Sequence, residues 1–95
     1  MDKTEARTIL AEHLSSYRVL AYADLVKLMG TNSVVEVLGP SSTKYQIEIE
    51  VMWDSLRDRV NVLVMGAIDD GRLPGAISPL SDSFIMTPDG KLVGE

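Results

Sequence analysis

The residues best suited to chemistry are acidic side chains at the two ends of a segment rich in glycine and proline. Asp69 and Asp70 precede this segment and Asp82 follows it. Clustered carboxylate oxygens bind hard cations such as Mg²⁺ and Ca²⁺, and a histidine or arginine beside them could assist hydrolysis. One hypothesis is therefore a small hydrolase or metal-dependent enzyme on the acidic loop 69–82, using Asp69, Asp70, Arg72, Asp82 and His13.

The same residues also suit purely structural roles. An Asp-Asp-Gly sequence is typical of a turn, the spacing lacks the 1-3-5 ligand pattern of a calcium loop, and no G-x-S-x-G nucleophile elbow is present. His13 lies between Leu10 and Leu14, where a half-buried histidine at the edge of a helical apolar face is expected. We therefore predict a non-enzymatic domain with no metal and no cofactor.

Composition excludes several classes of function. The 95 residues suit one domain, 1–95, and with 45% hydrophobic residues and no cysteine they predict a globular protein without thiolate chemistry. The net charge is −5 and the basic residues are scattered, so we expect no nucleic-acid binding. No apolar run reaches the ~18 residues of a membrane span, and the charged N-terminus lacks a secretory signal, which predicts a cytoplasmic location.

Helical spacing marks the first third of the chain. Asp2 followed by Glu5 suits a capping box, and apolar residues from Ala6 to Leu14 fall on one helical face, so a helix is predicted over about 2–14. A second helix is predicted over about 21–29, ending at Gly30.

After Gly30 the hydrophobic period changes to two, which is typical of strands. Strands are predicted over about 33–38, 44–53, 58–68, 82–87 and 91–94. Val35 and Val37 should face the same side as the alternating apolar residues of 44–53, and Val60 should continue that side in the next strand. The expected fold is α+β: two N-terminal helices packed on one face of a four- to five-stranded antiparallel meander sheet.

The opposite face of this sheet carries residues unusual for a solvent-exposed surface. Met52, Leu63 and Met65, with Ile85, should point away from the helices, beside Glu48 and Glu50. An exposed apolar patch marks a contact surface, unless the 69–81 segment folds back over it. We therefore predict self-association as a homodimer through this outer face, with the two glutamates as a polar rim; an acidic surface also suits a basic protein partner.

The C-terminal third carries a family resemblance. Met65–Asp70 and "PLSDSFIMTPDGKLVGE" (Pro79–Glu95) are similar to the ending of short bacterial proteins that form a domain of unknown function, in which a strand, an acidic turn and a hairpin close the chain. That resemblance implies a compact bacterial domain and transfers no catalytic residue. The small size, acidity and lack of a catalytic motif also resemble immunity proteins of bacterial toxin systems, which implies a basic, toxin-like partner.

Overall fold

The computed structural model describes residues 2–71 and 80–94. It is an α+β fold with a four-stranded antiparallel sheet in the order β1-β2-β3-β4. The elements are α1 (Lys3–Arg18), α2 (Tyr22–Lys27), β1 (Asn32–Leu38), β2 (Lys44–Trp53), β3 (Val62–Asp69) and β4 (Leu80–Met86). In this part of the chain, no helix has the length and apolar character needed to cross a membrane.

α1 begins where the sequence predicts and continues beyond the predicted end. The Asp2 carboxylate caps it by accepting from the Glu5 backbone N–H at 3.0 Å. The helix runs on to Arg18, and within it the Ser15 and Ser16 hydroxyls donate to carbonyls of the preceding turn, those of Ala11 and His13. These serines therefore fit inside the helix rather than ending it.

One long helix covers the sheet, which corrects the prediction of two covering helices. α1 packs on β3 and β4, whereas α2 makes its few contacts with the sheet at β3. α2 is also shorter than predicted, because its helical residues end at Lys27 and the chain turns towards Gly30, whose φ is +81°. Leu25 is its one fully buried side chain.

The β1–β2 hairpin follows the predicted register. Val35 pairs with Ile47 and Val37 with Tyr45, so the prediction that Val35 and Val37 face the side of the alternating apolar residues of β2 is confirmed. On the helix-facing side of β2, every second residue is buried: Tyr45, Ile47, Ile49 and Val51.

Two predicted strands differ from the structure. β3 begins at Val62 rather than at 58, because Arg59 has φ +50° and donates its N–H to the Ser55 carbonyl in a tight loop; Val60 lies outside the strand and is 46% exposed. The fifth strand, 91–94, is reduced to a single bridge between Met86 and Leu92. β4 itself begins at Leu80, two residues earlier than predicted.

Candidate interaction surface

A row of apolar side chains crosses the outer face, the side of the sheet turned away from α1. Met52 pairs with Leu63, and Leu63 pairs with Ile85. The Val93 N–H donates to the Ile85 carbonyl at 2.9 Å, which sets Val93 beside Ile85 on the same face. We call Met52, Leu63, Ile85 and Val93 the apolar row.

Met65 extends this row towards the middle of the face. It stands between Glu50 on β2 and Ser83 on β4 and is 43% exposed. Val93 is 50% exposed, and Leu56, in the loop after β2, is 75% exposed. The structure thus brings Met52, Leu63 and Met65 together and adds Val93. Sequence reasoning missed Val93 although it follows Ile85 across a Pro-Asp-Gly turn, a signal that could have placed the two side by side.

Acidic residues occupy the other part of the outer face. Glu48 stands opposite Val34 and Ala67, while Glu50 stands opposite Asn32 and Met65. No cation of the described strands lies directly across from either glutamate, and the Glu50 carboxylate instead accepts from the Asn32 amide at 3.3 Å. The outer face therefore has the apolar row at one end. Its other end carries the acidic residues Glu36, Glu48 and Asp69 beside Lys44, Val34 and Leu38.

The residues of the enzyme hypothesis are placed apart. Asp69 lies on the outer face opposite Gln46 and accepts from the Gly71 N–H at 2.8 Å. Asp82 stands opposite Gly66 on the other face of the sheet. Gly66, the partner of Asp82, is three residues from Asp69 along β3, a distance of about 10 Å. The carboxylates of Asp69 and Asp82 therefore cannot share a cation.

The remaining residues of the enzyme hypothesis are Asp70, His13 and Arg72. Asp70 lines a small cavity of 110 Å³ together with Glu36, Lys44 and Tyr45, well below the ~300 Å³ of a typical small-molecule site. His13 is half-buried on α1, and Arg72 lies outside the described residues. Across residues 2–71 and 80–94, no three acidic or histidine side chains are grouped closely enough to hold a metal ion.

A second depression lies in the loop between β2 and β3. It has a volume of 560 Å³, is open to solvent, and is lined mainly by polar residues of that loop, among them Asp54, Arg57 and Asp58. Each of these three side chains is exposed. The two carboxylates that line this depression, those of Asp54 and Asp58, are therefore open to solvent.

Sequence reasoning also missed the part that the Glu5 carboxylate plays in joining two elements of the fold. It accepts from the Ser41 backbone N–H at 3.0 Å, from the Ser41 hydroxyl at 2.7 Å and from the Tyr45 hydroxyl at 3.1 Å. The bonds from Ser41, led by its backbone N–H, hold the pKa of Glu5 below its usual value of 4.5. Burial raises the pKa of Tyr45, and the Glu5 carboxylate adds to that rise.

The Glu5 cluster ties two elements of the fold together. Through its bonds from Ser41 and Tyr45, Glu5 fastens the start of α1 to the β1–β2 turn. Gly39 makes this contact possible, since a Cβ at this position would lie 2.8 Å from the Tyr45 ring. A predicted capping-box residue thus bonds to a loop 36 positions along the chain.

Comparison with known proteins identifies no relative of this chain. No family model matches the chain, and no curated protein or solved structure is significantly similar to it. The resemblance of the C-terminal third to short bacterial proteins therefore stays a prediction.

Proposed function

We propose that this chain is a non-enzymatic protein-interaction domain that associates with a second copy through the outer face of its sheet. The observation that carries the proposal is the apolar row with Met65 beside it. Met65 and Val93 remain 43% and 50% exposed, and methionine side chains adapt readily to a contacting surface.

The distribution of charge suits a symmetric dimer centred on the apolar row. Glu48 is four residues from Met52 along β2, a distance of about 13 Å. If a two-fold axis passes through the apolar row and the strands run in opposite directions, the Glu48 carboxylates of the two copies lie roughly 26 Å apart. That separation exceeds the Debye length of about 8 Å at physiological salt, so the acidic ends do not oppose association.

The expected affinity is modest. Fully burying an apolar side chain contributes ~1.5–3 kcal/mol, so burying the exposed half of Met65 or Val93 contributes roughly 0.7–1.5 kcal/mol. Met52, Leu63 and Ile85 are already partly buried, and covering the rest of each contributes at most about 0.5–1 kcal/mol. The five residues of both copies together give on the order of 6–12 kcal/mol, against an association cost of about 4–15 kcal/mol. The dimer should therefore dissociate on dilution.

The test is the solution mass of the protein, measured by light scattering over a concentration series. Wild-type protein should rise from 10.4 kDa towards twice that mass. Met65→Glu should remain monomeric, because each dimer would bury two uncompensated carboxylates. Ala11→Glu, at an exposed position on α1, adds the same charge on the opposite side of the molecule and should dimerise like wild type.

Two results would contradict the proposal. One is a wild-type mass of 10.4 kDa at every concentration, and the other is a Met65→Glu mass that follows the wild-type curve. Circular dichroism and Trp53 fluorescence establish beforehand that each variant is folded.

A further inference from the structure

β1 is exposed on both faces and at its edge. It ends the sheet order, and of its seven residues only Val37 is partly buried. Val34 and Leu38 on the outer face are 51% and 65% exposed, and Val35 on the helix-facing side is 38% exposed. α1 leaves β1 uncovered because it packs on β3 and β4.

The direction of the free backbone groups of β1 follows from the hydrogen bonds of the hairpin. The Gly39 N–H donates to the Thr43 carbonyl at 2.8 Å, and the Val51 N–H donates to the Thr31 carbonyl at 3.3 Å. Hydrogen-bonded pairs alternate along an antiparallel ladder, so the odd-numbered residues of β1 bond to β2. The N–H and C=O groups of Asn32, Val34, Glu36 and Leu38 therefore point away from β2.

This edge lacks the features that normally prevent strand addition. β1 contains no proline and no lysine, and its register against β2 is continuous, without a bulge. At the opposite edge of the sheet, by contrast, the Val93 N–H occupies the Ile85 carbonyl and Leu92 bridges to Met86. A free row of donors and acceptors is a template for an added strand.

The negative charge at this edge favours an added strand that is basic over a second copy of this chain. Glu36 is the only charged residue of β1, and Glu48 and Glu50 stand beside Val34 and Asn32 on the outer face. A second copy pairing here would bring another set of these carboxylates to the same edge. A basic segment would meet them with opposite charge, and like charges directly opposite each other destabilise a strand pair.

We propose that the β1 edge binds, antiparallel, an extended segment of a partner protein in which lysine or arginine alternates with apolar residues. The basic residues lie opposite Val34 and Glu36 on the outer face, where their aliphatic stems cover Val34. The apolar residues lie opposite Val35 and Val37 on the helix-facing side. This site is on a different strand from the apolar row, and the inference does not depend on the outer-face dimer.

The test uses a fluorescein-labelled heptapeptide that alternates lysine with valine and threonine, and measures binding by fluorescence anisotropy. Val34→Pro removes an outward N–H without removing a bond to β2, and should weaken binding about ten-fold or more. Val34→Thr keeps the N–H and should bind like wild type. All binding measurements are repeated in Met65→Glu protein, which should not form the outer-face dimer. Peptide binding at β1 is thereby tested independently of that dimer.

Two charge-reversing variants test the contribution of Glu36 to peptide binding. Glu36→Lys should weaken binding of the lysine peptide by about two- to five-fold, as expected for an exposed cross-strand pair. Glu12→Lys makes the same change in net charge on exposed α1 and should leave binding unchanged. Equal losses in the two variants would show attraction to net charge alone and would overturn the proposal.

A pair of modified peptides keeps the test valid if Val34→Pro does not fold. N-methylation at the lysines blocks the N–H groups that face β1 and should abolish binding, whereas N-methylation at the valine and threonine positions should preserve it. Equal binding of the two peptides, undetectable binding of the unmodified peptide, or full binding to folded Val34→Pro would each overturn the proposal. Met65→Glu protein could also self-associate through this edge. If it does, and if adding Val34→Pro removes that self-association, the edge binds a second copy and the proposal is overturned as well.

Discussion

Gly66 on β3 lies directly beneath α1, and replacing it should destabilise the protein measurably. A Cβ at this position would lie 2.9 Å from Leu10 Cδ1, 3.0 Å from Ile49 Cδ1 and 3.3 Å from Leu14 Cδ2. Overpacking of this kind costs about 1–3 kcal/mol, while the reduced backbone entropy of alanine returns about 0.5–1 kcal/mol. Gly66→Ala should therefore lower the free energy of unfolding by up to about 2.5 kcal/mol.

Urea denaturation followed by the fluorescence of Trp53, the single tryptophan, measures this change. Ser83→Ala, on the exposed outer face of β4, is the control and should stay within about 0.5 kcal/mol of wild type. A Gly66→Ala protein more stable than wild type would refute the close approach of α1 to β3.

A double substitution identifies the contact responsible. Leu10→Ala alone should cost about 2–5 kcal/mol, but it also makes room for the new methyl group at Gly66. The double variant should therefore lose less stability than the two single losses added together, by about 0.5–1.5 kcal/mol. Strict additivity would show that the alanine methyl does not meet Leu10.

Two further predictions concern the attachments of the helices. Ser41 holds the pKa of Glu5 below 4.5, so the stability this carboxylate contributes is complete above about pH 4.5 and is lost as pH falls through its lower folded-state pKa. Glu5→Gln should reduce stability at pH 7 and flatten the acid side of a urea-denaturation pH series; an unchanged acid slope would argue against the tie. Leu25→Ala should cost about 2–5 kcal/mol by the same denaturation assay because Leu25 is fully buried, whereas Lys27→Ala on the exposed side of α2 should cost under about 0.5 kcal/mol. A loss below about 1 kcal/mol for Leu25→Ala would exclude α2 from the core.

Features that depend on neighbouring residues could be predicted from the sequence alone. Alternation between Tyr45 and Val51 established β2 and its buried face, and because the side-chain period of a strand is two, the same alternation set the register with β1. Asp2 was identified as the cap of α1 because capping requires a residue of its type within one turn of the helix start.

Features that join distant parts of the chain could not be predicted from the sequence. Glu5 reaches Ser41, and Asp82 falls on the opposite face from Asp69. Each outcome depends on the register in which separate elements meet. Since a shift of one residue moves every side chain of a strand to the other face, the composition of the acidic loop could suggest a cation site that the pairing of β3 with β4 does not form.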